Sequence, residues 1–215
     1  MNARRFCRYS REGFTLVELL VVLAIIAILS ASAISVFRGV TSALSLSTGT
    51  QMLLSELTIA RQTALTLDES VQLRFYTYPD STGAATTSEY QAFQSFSVKT
   101  GTSGTVYTPV EKINYLPPNL MISSSTAAGY SSAPLAGGTT SSPAPTDPAI
   151  PVNGIGLNYK YVSLTFKSSG AIDPVPAGST VWMTIHEKKY ASSVPINFTT
   201  INIDPSNGRV RIYQP

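Results

Sequence analysis

Cysteine and histidine are nearly absent from this 215-residue chain. Cys7 is the single cysteine and His186 the single histidine. One cysteine excludes a disulfide within the chain, and one histidine beside one cysteine gives too few ligands for a zinc site. Neither a phosphate-binding loop, a Gly-x-Ser-x-Gly elbow nor an HExxH helix occurs. We therefore expect no enzyme activity, catalytic residue, metal, cofactor or small-molecule substrate, and we expect His186 to be an exposed strand residue.

Charge is also scarce, at 13% of residues, and its sign is uneven along the chain. The formal net charge is +3, but residues 1–13 hold four arginines and one glutamate. Without these residues the chain has 11 basic and 11 acidic side chains and is neutral. The excess positive charge is thus confined to the N-terminus, which disfavours nucleic acid as a general partner of the remaining chain.

Proline is missing from residues 14–78, so nothing interrupts a helix there. Within this stretch, the 24 residues from Phe14 to Phe37 have Glu18 as their only ionisable side chain. As a helix they would span about 36 Å at about 1.5 Å per residue, enough for a hydrocarbon core of about 30 Å. The arginines in front predict a cytoplasmic N-terminus, and the residues after Arg38 should face the periplasm.

Glu18 is the anomaly of this apolar run, because a carboxylate inside a membrane helix costs about 2.5 to 3.5 kcal/mol. It lies in the sequence Gly13-Phe14-Thr15-Leu16-Val17-Glu18, which follows a basic leader. This arrangement resembles the class III signal of type IV pilins and of the pseudopilins of type II secretion systems. The resemblance implies that prepilin peptidase cleaves between Gly13 and Phe14 and that Phe14 is then N-methylated. It also implies that Glu18 pairs with the terminal amine of a neighbouring subunit during assembly, since a buried carboxylate needs a counter-charge.

An alternative interpretation starts from Ala31-Ser32-Ala33, which fits an ordinary signal peptidase site after the apolar run. Cleavage after Ala33 would release a secreted protein without the helix. The class III interpretation predicts instead a single-pass protein of the bacterial inner membrane, with prepilin peptidase and other pilin or pseudopilin subunits as partners.

The remaining chain predicts an α+β fold in which a long helix packs on a small antiparallel β-sheet domain, as in pilins. Residues 38–70 continue the helix, with Leu53, Leu57, Ala60 and Ala64 on one face. Residues 71–215 form the β-rich domain, with Val71, Leu73 and Phe75 inward and Gln72, Arg74 and Tyr76 outward. Residues 123–151 predict a flexible insertion, because they contain few large apolar side chains. The other predicted strands are 93–98, 120–123, 161–167, 180–187, 198–204 and 209–213.

The last strand contains Gly208-Arg209-Val210-Arg211, in which the period of two puts both arginines on one face. Together with Trp182, this segment resembles the minor pseudopilin H and FimT-like branch of the family. A narrower resemblance is to the pilin-like protein D of the Verru_Chthon cassette. The FimT-like resemblance implies DNA contacts by Arg209 and Arg211, with Lys188 and Lys189 as added cations if they lie near. A solvated strand face is the simpler interpretation, and DNA binding is the alternative.

Overall fold

The computed structural model describes residues 13–79, 89–102, 104–123, 141–173, 181–190 and 195–214, with only the backbone for 31–38 and 89. The chain divides into two compact units, Met1–Thr41 and Ser42–Pro215. The single α-helix of the described residues, α1, is Leu16–Leu67, and a 3₁₀ turn is Lys188–Tyr190. The strands are β1 Ser70–Thr77, β2 Glu89–Tyr90, β3 Ala92–Gly101, β4 Gly104–Pro109, β5 Asn114–Tyr115, β6 Leu120–Ser123, β7 Lys160–Phe166, β8 Ile172–Asp173, β9 Val181–Glu187, β10 Phe198–Ile203 and β11 Val210–Tyr213.

In the first unit, apolar side chains lie exposed along the start of α1. Phe14 is 82% exposed, and Val21, among the less exposed of the run, is still 49% exposed. Across the ranges that the structure describes, no helix is both long and apolar enough to cross a membrane. The predicted leader, apart from Gly13, lies outside the described residues.

In the second unit, α1 packs on antiparallel β-sheets and gives an α+β fold consistent with a pilin fold. Leu53, Leu57, Ala60 and Ala64 are each fully buried in one hydrophobic core with both sheets. Their spacing of four and three residues puts them on one helix face, which confirms the amphipathic pattern. Burial of this stripe is what fixes the helix to the domain.

The strands form two antiparallel sheets. Sheet A has six strands in the order β4-β3-β1-β7-β8, with β5 also paired to β3. Sheet B has five, in the order β11-β10-β9-β6-β2. The predicted strands 120–123 and 198–204 correspond to β6 and β10, and β10 pairs with β11 in a C-terminal hairpin. The short strands β2, β5 and β8 and the edge strand β4 were not predicted.

Strand β1 is buried on both faces, which corrects the prediction that Arg74 and Tyr76 point to solvent. Each is 1% exposed. The inner face of β1 joins the core with α1, and the outer face is covered by a second cluster that includes Phe96, Ile150 and Tyr159. The alternation of polar and apolar residues within a strand cannot show whether residues far away in the sequence bury its polar face.

Part of that cover comes from residues 141–151 of the predicted insertion, which contact the sheet. The flexibility of the insertion stays a prediction. Ser141 forms a backbone bridge with Tyr161, and Ile150 forms one with Gly156. Ile150 is 3% exposed. These two bridges, the Ile150 side chain and an ion pair of Asp147 with Arg74 connect this Ser- and Pro-rich segment to the rest of the domain. Residues 124–140 of the insertion lie outside the described residues.

Candidate processing and assembly site

Thr15 and Glu18 close the N-terminus of α1 by a reciprocal pair of hydrogen bonds. The Thr15 amide donates to Glu18 Oε2 at 3.2 Å, and the Glu18 amide donates to Thr15 Oγ1 at 3.3 Å. The Thr15 hydroxyl also donates to Glu18 Oε2 at 3.2 Å. This is a capping box, in which two amides that the helix leaves without partners are satisfied by side chains. The carboxylate also lies at the positive end of the helix dipole, where a negative charge is favoured.

The capping box places Gly13 and Phe14 just outside the helix. Residues 13–15 have no regular secondary structure, and α1 begins at Leu16. Nothing lies within 4 Å of a Cβ built on Gly13, and Phe14 is 82% exposed. The peptide bond between them is therefore accessible and free of helical hydrogen bonds. The same geometry holds the Glu18 carboxylate beside the amide of Thr15, the residue that follows the amine that cleavage at this bond would create.

Residues 8–34 match the family model of the prokaryotic N-terminal methylation motif. This match supports a type IV pilin-like protein. Gly13, Phe14 and Glu18 all lie inside the matched range, and such a signal implies processing by prepilin peptidase and assembly with other pilin subunits. Searches of the curated proteins and of the solved structures found no match to this pilin-like chain.

Thr15 is the residue of this site that sequence reasoning missed. The Thr-x-x-Glu spacing at the start of an apolar run is the ordinary signature of a capping box, and it is present in the sequence. A carboxylate in an apolar segment indicates a counter-charge from another subunit, and the sequence therefore predicted only an intermolecular role for Glu18. In the single chain, Glu18 already has an intramolecular role at the helix terminus.

The second predicted site, Arg209 and Arg211, lies at the C-terminal hairpin. Both side chains are exposed, and Arg211 pairs across the strands with Asn202. The attraction of Arg211 is among the influences that lower the pKa of Asp204, after the hydrogen bonds from Ser206. The Asp204 carboxylate therefore lies close to the arginines, and its negative charge weakens the attraction of this turn for phosphates.

Lys188 and Lys189 do not extend this arginine pair. They follow the end of β9 at which His186 pairs with Phe198, whereas Arg211 lies near the opposite end of β10. Lys188 Nζ donates to Gln91 Oε1 at 3.0 Å, and Lys189 Nζ is 2.7 Å from Glu187 Oε2. Both lysines already have polar partners at their own end of the sheet. The DNA-binding role of Arg209 and Arg211 stays a prediction.

His186 is fully buried, which corrects the expectation of an exposed side chain. Its Nδ1 lies 2.8 Å from the carbonyl oxygen of Glu187. Burial lowers the pKa of the imidazole, so the neutral form is favoured in the fold. Within the described residues no three His, Cys, Asp or Glu side chains are grouped so that they could hold a metal ion.

Proposed function

We propose that this chain is a minor pilin or pseudopilin, a structural subunit of a type II secretion pseudopilus or a type IV pilus-like fibre. The observation that carries the proposal is the methylation motif at residues 8–34, at the head of a helix with an exposed apolar surface. The second unit supplies a helix docked on antiparallel sheets, the architecture expected of a pilin head.

In this proposal the N-terminal segment serves twice. Before assembly, residues 14–37 anchor the protein in the inner membrane, with the N-terminus cytoplasmic and the β-rich domain periplasmic. During assembly the exposed apolar side chains exchange lipid for the apolar faces of neighbouring helices. Glu18 then meets the methylated amine of Phe14 in a neighbouring subunit, and this pairing compensates the buried carboxylate.

The capping box gives Glu18 a defined geometry for that encounter. Thr15 restrains the carboxylate at the helix terminus, so less conformational freedom is lost when a second subunit approaches. Residues 1–13, including the four arginines and Cys7, act as a cytoplasmic leader that cleavage removes.

The experiment separates processing from assembly by changing Glu18 to alanine or glutamine in cells that assemble the fibre. Both variants should still be cleaved after Gly13, because the scissile bond is unchanged. Incorporation into sheared fibres should fall at least about 10-fold, the change expected from losing about 1.4 kcal/mol of pairing. Glu69→Gln, a carboxylate of the second unit, is the matched control and should assemble normally. Normal incorporation of both Glu18 variants would contradict the pairing.

A further inference from the structure

Arg74 lies at the centre of the outer face of sheet A, enclosed by aromatic rings from three other strands. Its guanidinium carbon is 4.6 Å from the ring centroid of Phe96, 4.5 Å from that of Tyr107 and 4.5 Å from that of Tyr161. The side chain is 1% exposed. A guanidinium over aromatic faces is favourable, but burial of its charge is costly without a carboxylate.

The carboxylate comes from residues 141–151, which we call the strap. Asp147 Oδ1 lies 3.1 Å from Arg74 Nη1, and the Asp147 side chain is 7% exposed. The Asp147 amide donates to the carbonyl oxygen of Ala144 at 2.9 Å, and the Ala144 amide donates to Asp147 Oδ2 at 3.0 Å. A tight turn thus presents this carboxylate to the buried guanidinium.

A second anchor of the strap lies three residues after Asp147. Ile150 is 3% exposed and packs in the cluster that contains Tyr76, Phe96 and Tyr159. Its amide donates to the carbonyl oxygen of Gly156 at 2.9 Å. Pro148 and Ala149, between the two anchors, are exposed. The Asp147 and Ile150 side chains therefore anchor the strap. Backbone hydrogen bonds between Ser141 and Tyr161 hold its start, and the Tyr159 hydroxyl donates to the carbonyl oxygen of Pro148 at 3.2 Å.

The strap is also rich in proline, and the surface beneath it is rich in tyrosine. Four of its eleven residues are proline, namely Pro143, Pro145, Pro148 and Pro151. Proline restricts the backbone before docking, so little entropy is lost when such a segment meets an aromatic surface. Aromatic-lined grooves are a recurrent way of binding proline-rich peptides.

Beside the Ile150 anchor there is room that the strap does not fill. A predominantly apolar cavity of about 420 Å³ lies beside residues 148–151 and is lined by Tyr76, Ile113 and Tyr115 on the opposite side. Lys112 and Gln94 supply polar groups to its wall. A cavity of this size could receive additional apolar side chains of a longer or bulkier peptide.

We propose that this face of sheet A is a binding groove for an extended, proline-rich peptide segment of a partner protein that carries one aspartate or glutamate. The partner carboxylate takes the place of Asp147 beside Arg74, and an aliphatic residue three positions later takes the place of Ile150. In the isolated chain the strap occupies the groove and blocks it. Because the strap is tethered, its effective concentration is on the order of millimolar, so a free peptide competes poorly until the strap is weakened.

The test uses the full-length protein in detergent micelles and a fluorescein-labelled peptide with the sequence of residues 141–151. Fluorescence anisotropy should show that Asp147→Asn binds this peptide at least about 10-fold more tightly than the unmodified protein, because strap release exposes the groove. Ile150→Ala, which weakens the other anchor, should shift affinity in the same direction. Asp173→Asn is the matched control, since Asp173 lies on sheet A but its side chain is 58% exposed and pairs with Lys167.

A peptide with asparagine in place of its aspartate should not bind the Asp147→Asn protein. The double variant Arg74→Met, Asp147→Asn should lose the increased affinity for the unmodified peptide. The proposal is overturned if Asp147→Asn binds no more tightly than Asp173→Asn, or if both peptides bind equally. Thermal unfolding of each variant is recorded in parallel. Loss of the cooperative transition in both Asp147→Asn and Ile150→Ala would show that the strap is an obligatory part of the core, which also overturns it.

Discussion

The Nε–H of Arg61 on helix α1 donates to the carbonyl oxygen of Asn207, 2.7 Å away. This bond ties the helix to the turn between β10 and β11. The next residue, Gly208, has φ of +66°, and a Cβ built on it would lie 2.7 Å from the carbonyl oxygen of Gly170. The turn is thus closed from both sides, and only glycine fits at residue 208.

Replacement of Gly208 by alanine should lower the free energy of unfolding by about 2 to 3 kcal/mol, from positive φ combined with a clash against backbone. Gly154→Ala is the matched control, because φ there is +83° but nothing lies within 4 Å of an added Cβ. The control should lose only about 1 kcal/mol, the cost of the backbone conformation alone. Chemical denaturation measures both, and equal losses would show that close packing at Gly208 is unimportant.

Glu56 should make stability depend on pH. Its Oε1 accepts from Ser95 Oγ at 2.5 Å and its Oε2 from Asn114 Nδ2 at 2.8 Å, while the side chain is 2% exposed. Burial is the largest cause of a net rise in the pKa of Glu56. Since the folded pKa exceeds the unfolded value of about 4.3, the folded chain holds this proton more tightly. The free energy of unfolding therefore falls as pH rises from about 4.3 through the folded pKa.

Glu56→Gln removes this titration. The melting temperature of the variant minus that of the unmodified protein should therefore increase as the pH is raised from about 4 to about 7. If the substitution also weakens the hydrogen bonds of residue 56, this cost changes the difference in melting temperature equally at every pH and leaves its slope against pH unchanged. Glu111→Gln, at an exposed position near Glu56, is the control and should give a smaller slope. Parallel melting curves for Glu56→Gln and the unmodified protein would contradict a raised pKa.

The capping box predicts different outcomes for two changes at Thr15. Thr15→Val keeps the shape but removes the hydroxyl, and the helix terminus should lose about 1 kcal/mol. Hydrogen exchange of the Glu18 amide, measured by NMR in micelles, should accelerate by about 5-fold, the rate equivalent of that loss. Thr15→Ser keeps the acceptor and should exchange nearly as slowly as the unmodified protein. Equal exchange in the two variants would show that the Thr15 hydroxyl does not cap the helix.

The local parts of the fold could be predicted from the sequence, because their evidence lies within a few residues. Leu57 and Ala60 are on a helix face with regular spacing, and Gly208 lies in a turn that demands positive φ. Arg74 and His186 could not be placed, since what buries them lies far away in the chain. For Arg74 the cover is a strap more than sixty residues later, a segment whose composition gives little indication of packing.

The candidate processing site could be proposed from the sequence for the same reason, and the roles of its residues stay predictions. Gly13, Phe14 and Glu18 form a contiguous signal that is read independently of the fold. The groove around Arg74 was not predictable, because its residues come from four strands and the strap. A basic residue among tyrosines in the sequence is common, and only the sheet register puts Tyr107 and Tyr161 around the same guanidinium.

Intact mass spectrometry of the mature chain, isolated from the membrane or from sheared fibres, tests the central claim most directly. We predict a chain that begins at Phe14 and carries one added methyl group. Gly13→Val should leave the leader attached and so retain residues 1–13. A chain that instead begins after Ala33 would show an ordinary secreted protein and would contradict assembly through the N-terminal helix.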